Sequence, residues 1–60
     1  MVNAAFNEAI AKFFNTHIEA EGLKFGSFAK KHAWCGEQLK NKTAIGRAAV
    51  MFAMKETGMM

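Results

Sequence analysis

The chain has 60 residues, eight Lys or Arg against five Glu, no Pro, a single Cys and an apolar fraction of 52%. That length allows one domain, 1–60, which buries only about 60% of the surface its unfolded form exposes and offers no room for a deep catalytic cleft. With one Cys there is no internal disulfide, no zinc-type Cys/His pairing repeats, and stability must come from close helix packing or from association.

Without Pro and with few β-branched residues, helix is the default, and the expected fold is all-α. The first helix is predicted over about 3–21, with Asn3 as N-cap. Phe6, Ala9, Ile10, Phe13, His17 and Ala20 recur at helical spacing on one side, with Glu8, Lys12, Asn15 and Glu19 opposite. Phe14 and Ile18 widen that stripe. Gly22 is placed to end the helix in the left-handed region, with Leu23 returning onto Ile18.

Gly26-Ser27 reads as a turn with Ser27 capping a second helix over about 27–40. Phe28, His32, Cys35 and Leu39 line up on one face. Trp34 does not join them, so either Trp34 is exposed or the helix breaks near Gly36 and returns the indole to the core. Asn41 or Thr43 can cap a third helix over about 43–57, closed by Gly58 and Met59. Ile45, Ala48, Ala49, Phe52 and Ala53 form its stripe. Val50, Met51 and Met54 lie outside it, giving a second apolar face suited to a homodimer contact or a partner groove. Ala and Gly at 44, 46, 48, 49 and 53 permit close helix approach. The expected core is Phe6, Ile10, Phe13, Phe28, Leu39, Ile45, Ala49 and Phe52.

Charge is unevenly spread along these elements. The first segment carries Lys12 against Glu8, Glu19 and Glu21, a net of −2. The middle carries Lys24, Lys30, Lys31, Lys40, Lys42 and Arg47 against Glu37 alone, a net of +5. A basic segment that also holds Trp34 is the footprint of a surface meeting something anionic, either nucleic acid or an acidic protein surface. Phe28, Ala29, Ala33, Trp34 and Leu39 fall at spacings that resemble a helix-turn-helix motif, although Ala33 stands where Gly is usual and Lys42 where an apolar residue is. The resemblance implies a helix-turn-helix-like second and third helix, with Gln38 and Asn41 on adenine edges beside Glu37 and Lys40, and Lys24, Lys30, Lys31 and Arg47 on phosphates.

Other chemistries have less behind them. His17, His32 and Cys35 would make an incomplete metal set, with no second Cys and no Asp. Cys35 with His32 as base lacks an orienting third group. Neither a cofactor nor an enzymatic activity is expected. Met1 to Ala11 shows no basic, apolar leader pattern, and the longest apolar run, Ala48 to Met54, is seven residues, short of the roughly 20 that span a bilayer. A cytoplasmic protein without membrane association is expected. The leading function is DNA binding through the basic middle. The alternative is a small inhibitor or adaptor of the phage or mobile-element kind that blocks a host protein handling nucleic acid.

Overall fold

A computed structural model describes residues 4–59. It contains three helices, α1 (Ala4–Glu21), α2 (Phe28–Lys40) and α3 (Ala44–Glu56), and no strand among the described residues. The all-α three-helix expectation stands, with boundaries within about one residue. Asn3, the expected cap of α1, lies outside the described residues.

The chain sets these boundaries by local hydrogen bonding. Ser27 is extended, and its hydroxyl accepts from the Lys30 N–H at 3.3 Å to start α2. Thr43 does the same for α3, accepting from the Gly46 N–H at 3.2 Å. All three helices end in one device. At α1 the Gly22 N–H donates to the Glu19 carbonyl and the Leu23 N–H to the Ile18 carbonyl, the paired bonds of a Schellman turn, with Gly22 at φ 68°. Gly58, at φ 73°, repeats the pattern after α3.

Lys42 occupies the same position after α2, at φ 52°, with the Lys42 N–H on Leu39 and the Thr43 N–H on Gln38. A side chain there crowds the carbonyl, at a cost of about 1–2 kcal/mol. Lys42→Gly should therefore raise stability by about 0.5–1 kcal/mol after the extra freedom of the unfolded chain is subtracted. Chemical denaturation with unchanged m-value checks this, and a lower midpoint would contradict the strained turn.

α3 is the central element. It packs against both α1 and α2, which approach each other far less. Gly46, Ala49 and Ala53 are the buried residues of α3, and this line of small side chains lets its neighbours come close. The small positions at 44 and 48, by contrast, face solvent. From α1, Ala9, Phe14 and Ile18 are buried, and Phe14 is the largest side chain fully removed from water. Phe13 packs on Phe52 of α3, ring centroids 5.5 Å apart. Ala49 is buried as expected, and Phe6, Ile10, Phe13, Leu39, Ile45 and Phe52 are half-buried.

Phe28 is the exception, because it is 79% exposed. The expected core face of α2 was centred on Phe28, His32, Cys35 and Leu39. The half-buried residues are instead Lys31, Trp34, Cys35, Gln38 and Leu39, a stripe at i, i+3, i+4, i+7 and i+8. The helix has turned to put the indole inside, which leaves Phe28 and His32 at the outer edge. Neither alternative for Trp34 holds: α2 runs unbroken through Gly36, and the indole packs inward from it.

Candidate functional site

α2 divides the basic segment into two groups. Lys24 lies in the α1–α2 connection and Lys30 and Lys31 in the first turn of α2; Lys40, Asn41 and Lys42 lie at its far end, with Arg47 opening α3. Thirteen helical residues separate the two ends by about 20 Å. All these cations are exposed except Lys31, which is half-buried. No ion pair neutralises any of them among the described residues.

The two groups differ in their local electrostatics. Lys40 sits in the last turn, where the helix dipole favours a cation. Lys30 and Lys31 sit at the opposite pole, where the helix dipole already presents positive charge and no acidic residue offsets it. The Lys30 ammonium stays close to that end, since a Cβ built on Gly26 would lie 3.6 Å from its Nζ. Such an arrangement costs a few tenths of a kcal/mol or more per cation until an anion arrives.

The helix-turn-helix reading of residues 28–39 does not survive. Ala33, where the motif turns, is an exposed residue inside a continuous helix, and the tight connection comes later, at residues 41–43. α2 and α3 are consecutive helices joined by three residues, but no separate recognition helix begins at Gly36. Gln38 is also committed elsewhere. Its Oε1 accepts from the Thr43 hydroxyl at 2.9 Å, and its main-chain carbonyl accepts from the same group at 3.2 Å. It is part of the α2–α3 turn, whereas Asn41 is exposed and caps α2 through its backbone N–H.

Trp34 is half-buried in an aromatic cluster, 5.9 Å from Phe14, 5.7 Å from Phe25 and stacked on His17 at 6.5 Å between centroids. His17 is thereby held on Trp34 and His32 on Phe28. No three potential metal ligands come together among the described residues. Burial pushes the Cys35 thiol up, and the nearby Lys31 charge only partly opposes this. A thiol held protonated is a poor nucleophile.

Because α1 and α2 splay, a groove of about 460 Å³ opens between them, walled by Ile10, Phe14, Phe28, Lys31, Cys35 and Leu39. No carboxylate lines it. A second depression of about 380 Å³ lies on the α2–α3 side, where Lys42 and Arg47 flank Leu39, Val50 and Met51. Of the expected association residues, Val50 and Met51 line this depression; Met51 is 52% exposed, while Met54 is half-buried outside it. The exposure of Phe28 is the feature that sequence reasoning missed. The signal available was its place directly after the N-cap, at the first position of α2.

Among the described residues no helix is long and apolar enough to cross a membrane. No protein-family model, curated protein or solved structure matches the chain.

Proposed function

We propose that this chain is a small non-enzymatic nucleic-acid-binding protein that holds phosphates through its two basic groups. The observation that carries the reading is the placing of Lys30 and Lys31, with Lys24 in the connection before them, at the positive end of α2 without an anionic partner. Positions where a chain violates its own local electrostatics are where function is expected to reside, and a phosphate relieves this violation directly. Lys40, Lys42 and Arg47 supply a second contact point a helix length away. With Gln38 tied into the turn, recognition is led by the backbone of the nucleic acid rather than by base edges of a duplex.

Affinity should fall steeply with salt, because each neutralised phosphate releases counterions. The double variant Lys30→Ala, Lys31→Ala should lower the slope of log K against log salt by about two, measured by titration of a labelled DNA pool. A flat salt dependence for the wild-type chain would rule the reading out.

A second reading has its own support. The α2–α3 depression combines an exposed Met51 with a basic rim, a surface suited to an acidic protein partner or to a second copy of the chain. This is the inhibitor or adaptor of the phage or mobile-element kind. It would depend on Met51 rather than on Trp34, whose ring is already held by Phe14, His17 and Phe25.

A further inference from the structure

We infer that the groove between α1 and α2 receives a base of a single-stranded nucleic acid, stacked on Phe28, with the adjoining phosphate on Lys31. The inference rests on the nucleic-acid reading and specifies its ligand.

Phe28 is the starting point. An aromatic ring 79% exposed adds little to the fold. Its ring runs beside that of His32, centroids 6.0 Å apart and planes 23° from parallel. Both residues are exposed and their rings are roughly parallel and offset, which describes a platform for a flat ligand. Bases supply such a face whatever their identity, and stacking on an aromatic side chain tolerates any sequence.

The surroundings match that ligand. Lys31 lines the same groove one turn from Phe28, so a cation adjoins the platform where a sugar-phosphate chain would continue. On the opposite wall Asn7 and Asn15 of α1 bring amide donors and acceptors, able to meet a base edge. The groove has no acidic lining residue to repel phosphate. In a duplex the base faces are already stacked on one another, so only an unpaired strand can use Phe28.

The test is the binding of one mixed-sequence DNA oligonucleotide, single-stranded and as its duplex, across a salt series to the wild-type chain, Phe28→Ala and Phe28→Trp. The wild type should prefer the single strand. Phe28→Ala should lose about tenfold in single-strand affinity, while the duplex affinity, the salt slope and the melting temperature stay as they were, and Phe28→Trp should restore the preference. Equal affinity for both forms, or a single-strand affinity indifferent to Phe28→Ala, would overturn the inference while salt-dependent binding persists. Absence of salt-dependent binding to either form would overturn it together with the nucleic-acid reading.

Discussion

Gly46→Ala should destabilise the protein by about 2 kcal/mol or more, even though alanine is the better helix former. Inside a helix, Ala gains about 0.8–1 kcal/mol over Gly. Here the added Cβ would overlap the Gln38 carbonyl group, lying 2.7 Å from its carbon, and would come within 3.3 Å of the Leu39 nitrogen. These are backbone atoms, so no rotamer change relieves the contact. The Gln38 carbonyl is further held by the Thr43 N–H and hydroxyl, and Thr43 in turn caps α3. Relief therefore requires the end of α2 to move away from α3 together with the turn.

Overpacking of this kind costs about 1–3 kcal/mol, occasionally more, and rigid backbone on both sides places Gly46 at the upper end. A chain of this size has a total stability of only about 3–9 kcal/mol. At roughly 4–8 °C per kcal/mol, the melting temperature should fall by about 10 °C or more in a circular-dichroism melt. An unchanged or higher melting temperature would show that α2 and α3 do not approach so closely. Gly36 is not under the same constraint, because a Cβ there meets nothing within 4 Å.

Phe14→Ala should have a larger effect, about 3–5 kcal/mol, which is of the order of the whole stability. Phe14 is 2% exposed and meets Phe13 and Trp34 edge-on, at 6.4 and 5.9 Å between centroids. Truncation removes the contacts of a full ring and leaves a cavity beside Phe13 and the half-buried Trp34. The expected result is loss of cooperative unfolding and a red-shifted Trp34 emission as the indole meets water. Phe14→Leu keeps most of the volume and should retain a cooperative transition. A Phe14→Ala protein that melts cooperatively within a few degrees of the wild type would mean that Phe14 is not the centre of the core.

Both substitutions bear on the proposed site. Gly46 sets the spacing between the turn that carries Lys42 and the helix that carries Arg47. Phe14 forms the floor of the groove that Phe28 borders. Nucleic-acid binding should accordingly be measured on variants that keep the fold, such as Phe28→Ala, and not on these two.

By itself the sequence determined the three helices and the ends that lie among the described residues. Gly22, Ser27, Thr43 and Gly58 act through hydrogen bonds to residues three to five positions away, and such signals are complete within a short stretch of chain. The uneven charge was legible for the same reason, since cations concentrated in one segment stay together however it folds. Lys42 in the left-handed position was not legible, because only the demands of a three-residue connection force a lysine there.

The tertiary structure decided which face of each helix turned inward. When apolar residues occupy more than one side, periodicity offers several stripes of similar merit, and the choice falls to whatever complements the neighbour. On α1 the centre moved to Phe14 and Ile18. On α2 it moved to Trp34, because the indole finds Phe14, His17 and Phe25 on that side. The small residues Gly46, Ala49 and Ala53 made α3 the shared partner of both other helices. The groove and the exposure of Phe28 follow from that arrangement, in which α1 and α2 each pack on α3 and leave a space between themselves.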